Sequence, residues 1–260
     1  MRITVVTPTY NEAENLPKLV SALFALPLEI SILVVDDNSP DGTGRIADEL
    51  ALKFPDRVEV MHRPGKMGLR SAYLNGFQKL LSSGATDAIV QMDADFSHDP
   101  IALVEMVKKL ETCDMVLGSR YVKGGKTVNW GWERNVLSKG GALYTRLLTW
   151  MPVKDPTAGF VCYRKEVLET INFDEINFVG YAFQIEMKFA AWKLGFKVIE
   201  IPITFVDRKF GTSKMNKNIV KEGILGVLKI QWQSMFKNYR RKVRNNTDPV
   251  SSRIHAGALN

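Results

Sequence analysis

Cysteine, histidine and long apolar runs are all scarce in this chain, and each shortage removes a class of function. The two cysteines, Cys113 and Cys162, stand far apart in apolar surroundings. They have no metal-ligand spacing, so they read as small buried residues and not as a disulfide framework or a zinc site. Only His62, His98 and His255 carry imidazoles. With no Glu-x-x-His pair and no Gly-x-Ser-x-Gly elbow, zinc-hydrolase and serine-hydrolase chemistry recede. No Gly-x-Gly-x-x-Gly follows the first apolar run, and no Gly-x-x-x-x-Gly-Lys-Ser/Thr occurs, so the dinucleotide and Walker phosphate cradles are missing. There is no signal peptide and no stretch of 18 apolar residues. A cytoplasmic chain that does not span a membrane by itself is the expectation.

What is present is an ordinary globular balance, 45% apolar and 24% charged over 260 residues. That suits one large α/β domain, or one domain with an appendage. The net charge of +7 is unevenly spread: Lys209 to Arg244 holds ten Lys/Arg and one acid, Glu222, for +9. The remainder is −2, so the basic character belongs to the last quarter.

Short β-branched runs alternate with helical periodicity along the first half. Strands are expected at Ile3–Val6, Ile30–Val35, Val58–Met61, Ala88–Val90 and Met115–Ser119. Helices are expected between them, carrying Leu16, Leu19, Val20, Leu23 and Phe24, then Ile46, Leu50 and Phe54, then over Leu69–Leu81 and Ile101–Leu110. This alternation predicts a mostly parallel sheet with helices on both faces. Four strand ends carry polar clusters: Pro8 to Glu12, Asp36-Asp37, Asp93-Ala94-Asp95 and Gly118-Ser119-Arg120-Tyr121. Right-handed crossovers bring them to one edge of the sheet, where ligands of open α/β sheets sit. Asp93 and Asp95, one residue apart on extended backbone, point the same way. Mg²⁺ takes one or two carboxylates plus phosphate oxygens, so the pair suits a metal bridging a diphosphate. Asp is also common in solvated turns. His98 beside the pair reads as a turn-capping histidine.

These motifs stand in order with Asp155-Pro156-Thr157-Ala158-Gly159-Phe160 and Val206-Asp207-Arg208 with Lys214. From about Ile3 to Phe236 the set resembles the dolichol-phosphate (polyprenol-monophosphate) mannosyltransferases, inverting family-2 glycosyltransferases of the GT-A nucleotide-diphospho-sugar transferase fold. The resemblance implies transfer of mannose from GDP-mannose to dolichyl or polyprenyl phosphate. By it, Pro8, Tyr10, Glu12, Val35 and Asp37 hold the guanosine part, and Asp93, Ala94 and Asp95 the nucleotide and an Mg²⁺ or Mn²⁺ ion. Asp95 is the firmest metal ligand. Ser97 falls where several relatives carry a metal-binding Gln. A hydroxyl is shorter, so a water intervenes. Arg120, Arg134 and Ser138 match groups around the acceptor phosphate, and Arg208 and Lys214 match a flexible loop over the donor diphosphate. Asp95, Arg120 and Arg208 are the residues on which catalysis would rest. Val161 departs from the family's Arg or Lys, which would remove a phosphate contact. Asp155 could orient the acceptor arginines or cap a turn, and the turn is the favoured reading.

A phosphate monoester acceptor is already anionic at neutral pH, so no dedicated base is required. Positioning and neutralisation of the departing diphosphate are. In the last quarter, Ile224, Leu225, Leu228, Trp232, Met235 and Phe236 form one stripe of a helix. Followed by Tyr239-Arg240-Arg241-Lys242-Val243-Arg244, that stripe reads as a basic amphipathic helix on the cytoplasmic face of a membrane. The bland alternative is a helix packed on the sheet with a solvated basic tail. Residues 1–216 are thus expected to be catalytic and 217–244 a membrane-surface helix, with 245–260 a disordered tail. A small membrane-anchoring partner would serve the same end. A UDP-sugar such as UDP-glucose is the alternative donor. Nucleic-acid binding is disfavoured for want of any recognition motif.

Overall fold

Apolar runs bounded by turn residues become β1 (Ile3–Thr9), β2 (Ile30–Asp36), β3 (Val58–His62), β4 (Ala88–Gln91) and β5 (Met115–Ser119). Between them lie α1 (Leu16–Phe24), α2 (Thr43–Lys53), α3 (Leu69–Ser83) and α4 (Ala102–Lys109), as expected. Pro17 occupies the first turn of α1, where its missing N–H costs nothing. The second half adds β6 (Lys126–Val128), α5 (Trp132–Thr149), β7 (Val161–Arg164) and α6 (Lys165–Thr170). It ends with α7 (Gly180–Lys193), β8 (Val198–Pro202), β9 (Thr204–Val206) and α8 (Lys217–Gln233). The computed structural model describes residues 1–207 and 217–241, with the backbone alone for 217–224.

Seven strands pair in the order β3-β2-β1-β4-β7-β5-β8. Only β7 within that sheet runs antiparallel, against β4 and β5. The other pairs are parallel. The expected mostly parallel sheet is therefore present, and β1, β2, β4 and β5 all end at one edge. Because β7 runs the other way, its first residue also lies at that edge. β6 and β9 form a separate parallel pair.

Side chains of period two divide the core. Val5, Ile32 and Val34 face α1, α2 and α4, while Val6, Leu33 and Val35 face α3, α6 and α7. Burial on both faces explains why these strands read as continuous apolar runs. In α7 all ten residues from Ala182 to Ala191 are buried, polar ones included, and each polar group finds a partner. Gln184 Oε1 accepts from Gln91 Nε2 at 2.7 Å. Glu186 accepts the N–H groups of Asn177 and Phe178 at 2.8 and 3.0 Å and the ammonium of Lys237 at 2.9 Å. Lys237, just past the end of α8, thereby fastens that segment to α7.

Helix α3 approaches β1 closely because Gly76 lacks a side chain: a Cβ there would stand 2.7 Å from Val6 Cγ1 and 3.4 Å from Val35 Cγ2. Overpacking a filled core costs about 1–3 kcal/mol, so Gly76→Val should lower the unfolding free energy measured by urea denaturation by that amount. Gly76→Ala should lose less, since helix propensity returns up to about 1 kcal/mol.

Candidate active site

The β1 and β2 ends are built as one piece. Pro8 pairs with Val35, and Thr9 with Asp36. Asp36 turns inward, its Oδ1 accepting from the hydroxyls of Thr9 at 2.8 Å and Ser39 at 2.6 Å. Asp41 accepts the Thr43 hydroxyl at 2.6 Å and the Ala13 N–H at 3.1 Å. The Glu12 N–H in turn reaches Thr43 Oγ1 at 2.9 Å. Much of the Pro-Asp-Gly-Thr run is thus a clasp on the Tyr10–Glu12 loop. Tyr10 is exposed, with Lys66 Nζ 4.0 Å above its ring. The Val35 side chain is wholly in the core. Asp37 is buried and takes Arg63 Nε at 2.5 Å. Arg63 also donates to Ser71 Oγ at 2.7 Å, which ties this loop to the start of α3. Nothing in the local sequence marked Arg63.

At the end of β4, Asp93 Oδ1 accepts from the Tyr73 hydroxyl at 3.0 Å. Burial first, and then the Asp93 charge, raises the Tyr73 pKa well above its usual value, so this phenol stays a donor. Asp95 Oδ1 accepts the Ser97 N–H at 3.0 Å, and Ala94 between the two carboxylates is buried. The Ser97 hydroxyl is buried and makes no hydrogen bond. His98 is buried and stacks on Phe160 at 5.1 Å between ring centres, with Phe205 edge-on at 5.6 Å. Its Nδ1 accepts from the Asp93 N–H at a long 3.4 Å, which places the ring proton on Nε2. Burial lowers its pKa against the opposing pull of Asp93 and Asp95, leaving a neutral imidazole. Among the described residues no third His, Cys, Asp or Glu joins the pair in a metal-binding cluster. Two carboxylates plus an orphaned buried hydroxyl fit a hard cation that completes its shell with phosphate oxygens and water.

Across the site stands Arg120. The sequence favoured a turn cap for Asp155, but its carboxylate is fully buried and grips this arginine instead. Asp155 Oδ2 accepts from Arg120 Nε at 2.7 Å and from its backbone N–H at 3.0 Å, and Oδ1 from a terminal nitrogen at 2.6 Å. The turn exists too, through Ala158 N–H to the Asp155 carbonyl at 3.2 Å, and uses the main chain. Burial opposes the Arg120 charge, but the hydrogen bonds and charge of Asp155 outweigh it, and the pKa rises. Tyr121, Trp130 and Phe205 ring the guanidinium at 5.1 to 5.5 Å.

Arg134 and Ser138 share α5, one turn apart. Arg134 lies 4.0 Å over the Trp130 ring and donates to Asp207 Oδ2 at 2.5 Å. Ser138 Oγ accepts from the Tyr121 hydroxyl at 2.5 Å, which links it to the residue beside Arg120. Strand β9 closes this side, the Val206 N–H meeting the Ser97 carbonyl at 3.3 Å. Val161 is buried within β7, paired with Gln91 and Leu117. Arg208 and Lys214 lie outside the described residues. Breaking a buried ion pair from one side costs about 3–5 kcal/mol. Asp155→Asn should therefore show a loss of that order in chemical denaturation, far larger than Arg45→Ala, whose ion pair with Glu49 is exposed.

The family model described as glycosyl transferase family 2 matches residues 4–171. The polyprenol monophosphomannose synthase of Mycolicibacterium smegmatis is 48% identical over 227 residues, covering 87% of this chain and 85% of that protein. The undecaprenyl-phosphate mannosyltransferase of Micrococcus luteus is 44% identical over 239 residues, covering 90% of this chain and 98% of that protein. Among solved structures, a mannosyltransferase from Pyrobaculum calidifontis in complex with GDP-Man and Mn²⁺ superposes with a TM-score of 0.57. Its identity is 18%, with 92% of this chain and 66% of that chain covered, so the likeness concerns the fold. The chain belongs to glycosyltransferase family 2, with the GT-A fold.

Proposed function

We propose that this chain transfers mannose from GDP-mannose to a polyprenyl phosphate, giving polyprenyl-phosphate β-mannose by inversion, and GDP. The observation that carries the reading is the division of one sheet edge. A carboxylate pair with an orphaned hydroxyl lies on one side, an aromatic-ringed arginine on the other, and residues 155–160 run between them. Two curated relatives of matching length carry names for mannose transfer to polyprenyl phosphates.

In this reading the Tyr10–Glu12 loop, Pro8, Val35 and Asp37 form the nucleoside end of the donor site. Asp93, Asp95 and Ser97 hold an Mg²⁺ or Mn²⁺ ion that, when bound, offsets charge on the diphosphate. Tyr73 fixes the rotamer of Asp93, and the Ser97 N–H that of Asp95. Arg120, Arg134 and Ser138 receive the acceptor phosphate. The guanidinium of Arg120 arrives already oriented, so little reorganisation remains for the transfer step. His98, neutral and enclosed by Phe160 and Phe205, packs the loop and takes no proton. None is needed from an acceptor that is already an anion. Arg208 and Lys214 are assigned to the departing diphosphate by resemblance.

A lipid acceptor requires contact with a bilayer, and two helices offer it. No helix among the described residues is long and apolar enough to cross a membrane. Yet α5, which carries Arg134 and Ser138, leaves Trp132 75% exposed, with Val136, Leu143 and Leu147 on the same face, and Trp150, just past its end, is 81% exposed. Helix α8 packs beside α5. From Leu225 onward its anticipated stripe points outward, Trp232 being 62% exposed and Phe236, just beyond its end, 77%, while Val227 and Ile230 bury the opposite side; the side chain of Ile224 lies outside the described residues. Exposed Arg240 and Arg241 follow. Apolar faces flanked by cations suit the interface of an anionic membrane. The packed face of α8 is made instead by Val227 and Ile230, which join the core.

Transfer of labelled sugar to a short polyprenyl phosphate, from GDP-mannose and in parallel from UDP-glucose, tests the chemistry. Transfer from GDP-mannose that chelation abolishes and Asp95→Ala reduces by about a hundredfold or more is expected. Transfer from UDP-glucose alone would move the donor assignment. For the surface, Trp132→Ala combined with Trp232→Ala should lower cosedimentation with anionic vesicles while leaving GDP affinity unchanged. Equal vesicle binding by wild type and double variant would remove α5 and α8 from the membrane contact.

A further inference from the structure

Lys188 plays no part in the chemistry above, yet it is a fully buried lysine. Such a charge persists only where partners compensate its desolvation. Its ammonium donates to the Ala158 carbonyl at 2.7 Å and to the Gln184 carbonyl, one turn back on α7, at 3.0 Å. Ala158 is central to the 155–160 segment. Three residues earlier, Asp155 grips Arg120. One residue later, the space for a Cβ on Gly159 lies 3.4 Å from His98 Cε1 and 3.8 Å from Asp93 Oδ2. At its entry the segment is held by Glu200 of β8, whose carboxylate accepts the N–H groups of Lys154 and Asp155 at 2.7 and 2.8 Å. Two charges of opposite sign therefore support the loop that joins the two halves of the site.

The charges facing Lys188 are Asp155 from the loop, Arg120 from the end of β5 and Glu200 from β8. With one arginine against two carboxylates, a protonated Lys188 brings the cluster to neutrality. We propose that Lys188 is a positioning residue for the acceptor side: its ammonium fixes the 155–160 loop and, through Asp155, sets Arg120 for a phosphate monoester. The inference rests on the proposed lipid-phosphate acceptor. Burial lowers the Lys188 pKa to about 7, with Asp155 and Glu200 pulling it up and Arg120 pushing it down. At pH 6.5 the ammonium is therefore mostly charged.

The full chain and its Lys188→Met and Lys188→Gln variants would be compared at pH 6.5. Farnesyl phosphate and GDP with Mg²⁺ would be titrated separately by calorimetry, and amide hydrogen exchange followed across residues 155–160. At metal sites, loss of the partner that orients a ligating group costs about 10–100-fold, and a change of similar size is expected for a guanidinium oriented in the same way. Both variants should thus bind farnesyl phosphate at least tenfold more weakly and exchange faster across the loop, while GDP affinity stays within twofold. The KM for acceptor should rise with the donor KM unmoved. Lys188→Gln, which keeps a donor without the charge, carries the test if Lys188→Met does not fold. Unchanged farnesyl phosphate affinity with unchanged exchange would overturn the proposal, and so would an equal loss of both ligands. If wild type neither transfers mannose nor binds farnesyl phosphate, the acceptor reading fails by itself. The exchange comparison then decides whether Lys188 fixes the loop.

Discussion

A carboxylate removed from water must be matched by charge and hydrogen bonds, and Asp155 is matched almost entirely by one residue. It engages the main chain and two side-chain nitrogens of Arg120, and so locks the end of β5 to the start of the loop entering β7. A buried pair of this kind adds little net stability over an apolar replacement. Its value is direction. The guanidinium plane, the aromatic groups around it and the path of residues 155–160 toward Asp93 all follow from that contact.

The protonation states of the site support a passive style of catalysis. His98 is held neutral by burial, and Tyr73 is held protonated by burial and by Asp93. Neither stands ready to exchange a proton near neutral pH. What the site offers is fixed donors and fixed acceptors, set by contacts among Tyr73, Asp93, Ser97, Arg120 and Asp155. Preorganised polarity of this sort costs no rearrangement when charge moves, and it suits the proposed donor and acceptor, both of which are phosphate anions.

The first half of the fold was legible because β1, β2, β4 and β5 are buried on both faces, and the helices between the strands on one. Apolar runs and 3.6-residue periodicity were therefore intact. Asp93, Asp95 and Arg120 could be placed because they follow strands whose direction was predictable. Helix α7 left no such trace: with Ala182 to Ala191 buried all round, it has no polar face to set a period. Its Gln184, Glu186 and Lys188 look in sequence like surface residues. β7 was not among the expected strands because Val161-Cys162-Tyr163-Arg164 holds one β-branched residue and ends in an arginine, whereas the equally short β4 carries the apolar run Ala88-Ile89-Val90. Arg63 and Tyr73 escaped because their partners Asp37 and Asp93 are 26 and 20 residues away, beyond any local pattern. Asp155 was misjudged for a related reason, since a turn was there to be capped and the carboxylate had a distant partner. For α8 the stripe was visible but its direction was not, because period alone does not say which side meets the protein.

The insertion of β7 between β4 and β5 also sets a timetable. β3, β2, β1 and β4 are complete by Gln91, and they pair only with one another until the strand at Val161–Arg164 arrives about 70 residues later. At ribosomal rates of about 5–20 residues per second, the outer edge of β4 waits several seconds for its partner. An unpaired apolar edge is a template for wrong pairing. This one is only four residues long. The brevity of β4 thus limits the exposed edge of a newborn chain during the interval in which Asp93 and Asp95 have been made and Asp155 and β7 have not.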